Sequence, residues 1–402
     1  MPLRSRRAFL TLTAAFGGFL AACRSKSAAV VEPRALGAPV GPYGSRSRFE
    51  RAMRFITRTA VPEESSSKTP LHESVGIITP SSLHFERHHG GVPELDPATH
   101  TLTIHGMVDR PLVFTVDELK RLPSVSRIMF LECSGNGNGE WKGGGEPTVQ
   151  RTHGLTSCSE WTGVPLAMLL NACGVQPGAS WLLAEGADAC KLSRSVPLSK
   201  AMDDALVAYG QNGEALRPEQ GYPIRLLLPG WEGNINVKWL RRIKLLDRPA
   251  MTREETSKYT DLLADGKARQ FTFDMEAKSV ITRPSGGDKL PGAGSYQVTG
   301  LAWSGRGRIT RVEISADGGR TWSDAALQEP VLSRAHTRFR WKWTWDGGDA
   351  ILQSRCTDET GYVQPPRAAL TAVRGVNSNY HNNAIQSWKI AADGSVTNGN
   401  AA

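Results

Sequence analysis

The chain contains no Cys-x-x-Cys pair, no Cys-x-x-Cys-His, no apolar run of membrane-spanning length and no basic tract interleaved with aromatics. The first two absences exclude zinc-ribbon and iron–sulfur spacing and covalent haem attachment. The third leaves no candidate transmembrane helix, and the fourth leaves no nucleic-acid footprint. The glycine run 135–145 is not followed by Gly-Lys-Ser/Thr, so it is not a P-loop. No Gly-rich dinucleotide fingerprint follows a strand, and there is no internal repeat.

What is present suits a folded, exported protein. The 402 residues are 40% hydrophobic and 22% charged, enough for two ordinary domains and too apolar for disorder. The net charge is +9; Arg4, Arg6 and Arg7 account for three of these charges, leaving +6 without them. That mild excess suits anionic partners or substrates. Ser5-Arg6-Arg7-Ala8-Phe9-Leu10, followed by the small-apolar run 11–22, reads as an export signal for the periplasm. It resembles the twin-arginine type, which carries folded, cofactor-loaded cargo; an ordinary secretory signal with a chance Arg pair is the alternative. Leu20-Ala21-Ala22-Cys23 also fits a lipoprotein cleavage box, in which case Cys23 carries lipid and tethers the protein. Residues 1–23 are therefore read as the signal, and the Ser-, Pro- and Arg-rich stretch 24–75 as an arm. Cys133, Cys158, Cys173, Cys190 and Cys356 remain, an odd number for an oxidising compartment. At least one thiol is expected to be held otherwise, for example by a metal.

Residues 76–248 alternate short apolar runs with Gly/Pro turns and read as a mixed α/β domain of α+β class. Helices are expected over 117–122 and 164–172, and buried strands over 224–228 and 237–246. The polar stretch 249–280 reads as a linker. Residues 281–385 read as an immunoglobulin-like β-sandwich, with strands over 296–303 and 309–315, and 386–402 as a tail. Phe339, Trp341, Trp343 and Trp345 alternate with polar residues, which puts four rings on one strand face, as core.

Three constellations could carry chemistry. Leu131-Glu132-Cys133-Ser134-Gly135-Asn136 ends an apolar run at a thiol before a glycine-rich loop. Such a thiol can be a nucleophile, a soft-metal ligand or a buried structural cysteine. Phe85-Glu86-Arg87-His88-His89-Gly90-Gly91 places a guanidinium, able to grip an oxyanion, in what is otherwise a basic loop. Gly90, Gly91 and Pro93 argue against the helix that a zinc pair at His84 and His88 would need. In Asn236-Val237-Lys238-Trp239 the lysine is either snorkelling or bound to an anion.

In this order the three motifs resemble the sulfite oxidase family, with its aromatic-x-Arg-Asn-His, Cys-x-Gly-Asn and Val-Lys-Trp-Leu segments. Ser159 to Leu166, Glu185-Gly186-Ala187-Asp188 and Gly221-Tyr222-Pro223-Ile224-Arg225 extend the match, as do Val312 to Trp322 and Arg374-Gly375-Val376. The resemblance implies molybdenum carried by a single molybdopterin and ligated by Cys133, with no haem in this chain. It implies that Phe85, Arg87, His88, His89, Asp188, Arg225, Asn236 and Lys238 hold the pterin and its phosphate. Arg87 and Arg374 would face an oxyanion substrate, and Tyr259 would be the active-site tyrosine. Two departures stand out. Gly137-Asn138 replace the usual Arg-Arg, which is expected to remove charge and open room beside the metal at position 137, and Gln220 replaces a frequent His. With Arg151-Thr152-His153 closing a long loop, the chain is most similar to the catalytic subunits of Sox sulfane dehydrogenases, a branch of that family. The implied partners are a c-type cytochrome subunit and a sulfur-carrier protein as substrate, with a homodimer of this chain inside a heteromer. A sulfite dehydrogenase acting on free sulfite is the alternative.

Overall fold

The computed structural model describes residues 37–263 and 265–400. The signal, including Cys23, lies outside them. Among the described residues, those up to 51 fall in one unit and those from 52 on in another; in the first, every described residue is exposed. The expected arm does not stay extended throughout. From residue 52 it forms strands Phe55–Thr57 and Ser66–Lys68, and the latter lies between the former and Glu86–Arg87 in a three-stranded sheet.

Two five-stranded sheets build the first domain. One runs Glu214–Ala215, Leu206–Gln211, Thr156–Pro165, Val125–Glu132, with Arg225–Leu227 also on Leu206–Gln211. The other runs Leu112–Thr115, Thr101–Gly106, Leu240–Leu246, Trp181–Gly186, Ser193–Pro197. It is mixed, because Leu240–Leu246 is parallel to Thr101–Gly106 and antiparallel to Trp181–Gly186. Helix Val116–Arg121 starts one residue before the expected Asp117, on a Thr115/Glu118 capping box. Helix Leu166–Cys173 begins two residues late, since Pro165 still ends a strand. Buried Leu102, Ile104, Leu169, Leu182, Leu226 and Ile243 fill the core between these elements.

The second domain is the expected β-sandwich. Lys278–Arg283, Gly294–Trp303, Thr337–Trp345 and Ala326–Gln328 form one sheet; Ser323–Asp324, Ile309–Ser315, Ala350–Asp358, Ser387–Ile390 and Val396–Asn398 form the other. Phe339, Trp343 and Trp345 are buried between them and Trp341 partly so. The stretch read as a tail thus supplies two strands. The stretch read as a linker is also built into the fold, with Glu254, Glu255, Asp261, Met275 and Ala277 buried. Phe130, Val149 and Cys158 of the first domain join the sandwich core.

Candidate active site

Strand Val125–Glu132 is buried over its last four residues and delivers Cys133 to a turn. The Cys133 N–H donates to Leu155 O (3.0 Å), and Asn136 N–H donates back to Cys133 O (2.9 Å). Burial pushes the thiol's pKa up, while the Gly135 backbone and the Arg87 charge pull it down. Gly233 lets a second loop close over this turn: a Cβ there would lie 2.8 Å from Glu132 O.

Two cavities meet at the thiol. The inner one, about 700 Å³ including open solvent, is lined by His84, Phe85, Glu86, Arg87, His88, His89, Asp188, Gln220, Arg225, Asn236, Lys238 and Trp239 among others. The outer one, about 1490 Å³ including open solvent, is lined by Lys68, Asn138, Cys190, Arg253, Lys258 and Tyr380 among others. Cys133, Arg87, His89 and Tyr259 line both.

The inner cavity is cationic. Arg225 Nη1 and Nη2 donate to Gln220 O (2.9 Å) and Asn236 O (3.0 Å), while its buried Nε finds no partner among the described residues. Burial lowers this guanidinium to about 9. Lys238 is lowered to about 7 by burial and then by the Arg225 charge. Its Nζ donates to Glu219 O (3.0 Å) and to His88 Nδ1 (2.8 Å), leaving His88 Nε2–H to donate to Glu86 (2.7 Å). Buried His84 Nε2 is also unpartnered among the described residues. The strand expected from residue 237 starts only at Leu240. Trp239 takes a positive φ of 53°, and the loop before it aims Lys238 into the cavity. Asn236 Oδ1 accepts from Leu228 N–H (2.6 Å), and Asp188 Oδ1 from Leu192 N–H (3.1 Å); each staples a cavity-lining loop.

Family models for an oxidoreductase molybdopterin binding domain and a Mo-co oxidoreductase dimerisation domain match residues 89–254 and 269–388. The crystal structure of the sulfane dehydrogenase SoxCD from Paracoccus pantotrophus is similar, with TM-score 0.89 and 49% identity over 91% of this chain and 95% of that one. The chain belongs to the sulfite oxidase family. It is also similar to nitrate reductases: 33% identical over 356 residues to the NADH enzyme of Solanum lycopersicum, and 34% over 351 to the NAD(P)H enzyme of Hordeum vulgare. Those alignments cover 75% and 76% of this chain but 38% and 39% of the reductases, so the chain spans about two-fifths of their length.

The inner cavity fits the cofactor of a sulfite oxidase family member. Buried cations that repel one another, with donors left unpaired, suit an anionic phosphate and dithiolene. No group of three or more His, Cys, Asp or Glu able to hold a bare metal occurs among the described residues. A metal at Cys133 would therefore depend on ligands from an organic cofactor. Phe85, Arg87, His88, His89, Asp188, Arg225, Asn236, Lys238, Tyr259 and Cys133 all line this cavity.

Two expectations are corrected. Arg374 does not converge with Arg87, and it lines neither cavity. Its guanidinium is buried and paired with Asp261 (3.4 Å) and Glu276 (3.1 Å), because the chain after Tyr259 brings carboxylates to it first. Nor does Gly137 open the metal side. Its φ is 80°, and a Cβ there would meet Asn382 and His153 at 3.6 Å; Asn138 faces the outer cavity instead. Sequence reasoning missed Arg194, whose buried guanidinium lies 5.3 Å from the Tyr259 ring, and Tyr380, 5.3 Å from the same ring. Neither sits in a motif that could have drawn notice.

Proposed function

We propose that this chain is the molybdenum-carrying catalytic subunit of a periplasmic sulfane dehydrogenase. It oxidises sulfane sulfur carried on a protein cysteine and passes electrons to a c-type cytochrome subunit. The observation that carries this reading is the junction of a cationic inner cavity with a wide outer one at Cys133, Arg87, His89 and Tyr259. The inner side suits a pterin phosphate. The outer side has room for a carrier's arm, and Lys68, Arg87, Arg253 and Lys258 there suit an anionic sulfur group. The likeness to SoxCD supports the same reading.

A bound molybdenum–pterin group supplies two-electron oxidation of sulfur with oxygen drawn from water. The chain's own residues do the rest. Cys133 offers a soft thiolate ligand. Arg225 and Lys238 grip the cofactor's anionic end, Arg87 offers its fork to the developing oxyanion, and the Tyr259 hydroxyl points to the place where the cavities join. The given sequence carries no haem, iron–sulfur or dinucleotide motif, which supports a separate c-type cytochrome subunit as the acceptor. The dimerisation-domain match supports a homodimer. The Arg6-Arg7 signal supports export, and Cys23 supports a lipid tether.

The four cations of the outer cavity would also hold free sulfite, so sulfite dehydrogenase is the second reading. Turnover of purified enzyme with a sulfane-loaded carrier, against free sulfite, with added cytochrome, separates the two.

A further inference from the structure

Glu132, the residue before Cys133, is wholly buried, and so is Lys278 of the β-sandwich. Both carboxylate oxygens are partnered. Oε1 accepts from Lys278 Nζ (2.5 Å) and Asn136 Nδ2 (2.9 Å), and Oε2 from Trp303 Nε1 (2.7 Å). Lys278 opens one strand of the sandwich and Trp303 ends the next, directly opposite it in register. Two facing residues of the second domain thus reach into the first at the foot of its thiol-bearing turn. Asn136 carries the contact onward: its Oδ1 accepts from Leu155 N–H (3.1 Å), and Leu155 O in turn receives the Cys133 N–H.

Burying such a pair gains little stability over apolar residues of the same volume, because desolvation offsets the attraction. What it does supply is one fixed arrangement, since three donors from separate parts of the chain converge on its two oxygens. We propose that Glu132, Lys278 and Trp303 are positioning residues. Through Asn136 they hold the Cys133 turn in the shape its thiolate needs to meet the metal, which makes the β-sandwich part of the active site. This rests on the reading of Cys133 as the metal ligand.

The test uses the full chain carrying both Glu132→Gln and Lys278→Met. This removes the charges together and leaves no buried unpaired ion. Gln keeps one acceptor oxygen where Glu had two, so Asn136 Nδ2 or Trp303 Nε1 loses its acceptor and meets an NH2 group instead, and the turn loosens while the fold persists. Alkylation of Cys133 in cofactor-free protein, followed by peptide mass spectrometry with exposed Cys190 as the internal control, should be on the order of tenfold faster. The Mo(V) paramagnetic resonance signal of loaded protein should also shift. A wild-type alkylation rate together with a wild-type signal would overturn the proposal and leave a structural ion pair only. If the double variant does not fold, Trp303→Phe decides by the same two readouts, because it keeps the ring and deletes one donor. Failure of the ligand reading looks different: Cys133→Ser would then retain the native Mo(V) signal.

Discussion

Tyr259 Oη and His89 Nε2 lie 2.6 Å apart at the seam between the two cavities, with their rings stacked. Burial, then the charges of Arg87 and Lys238, holds His89 at about 4. Near neutral pH the ring is therefore uncharged, and in the tautomer protonated at Nδ1 its Nε2 accepts from the phenol. A depressed histidine gains its proton only as pH falls through the folded value. The pH profile of turnover should show no step from His89 between about pH 6 and 8, where an unperturbed His would titrate. Tyr259→Phe should lower turnover about tenfold or more, the scale of one hydrogen bond to a charged group. Unchanged turnover in that variant would remove Tyr259 from the chemistry.

Lys238 gives a second pH dependence, of known sign. Its folded pKa is lowered to about 7 from 10.5, so the unfolded chain binds the extra proton between those values. For cofactor-free protein this cost is fully present below about pH 7 and is relieved as pH rises toward about 10. Lys238→Met should flatten that limb of the thermal midpoint against pH. It should also weaken retention of the anionic cofactor, read as molybdenum per chain after gel filtration. A variant with an unaltered slope and full metal content would contradict both roles.

The sequence revealed much of this architecture because its signals are local. The period-two row at Phe339, Trp343 and Trp345 marks a sandwich core strand, and Cys133, Arg225 and Lys238 stand in contiguous motifs. What stayed hidden depends on residues far apart in the chain. The polar stretch 249–280 reads as linker because its acids look solvent-facing, yet Glu255 accepts from Ser195 and Asp261 from Ser378 and Arg374. The same holds for Arg374, whose partners lie about a hundred residues away, and for Lys278 beneath Glu132. No periodicity reports a partner at that distance.

Arg374 therefore yields a stability prediction. Arg374→Ala leaves buried Asp261 without its cation, a loss on the scale of about 3 kcal/mol. The thermal midpoint should fall by several degrees, and turnover should suffer through the Tyr259 segment. A variant with a native midpoint but abolished turnover would place Arg374 on the substrate instead.

The claim on which the whole reading depends is that Cys133 holds molybdenum. Cys133→Ser exchanges a soft thiolate for a hard hydroxyl, while on the proposed reading Arg225 and Lys238 would still hold the cofactor's anionic end. The measurement is turnover alongside molybdenum per chain, in wild type and variant. The account predicts about one molybdenum per wild-type chain, on the chemistry of a single cofactor, and loss of turnover in the variant even where pterin is retained. Full turnover in Cys133→Ser, or wild-type protein that is active without molybdenum, would contradict it.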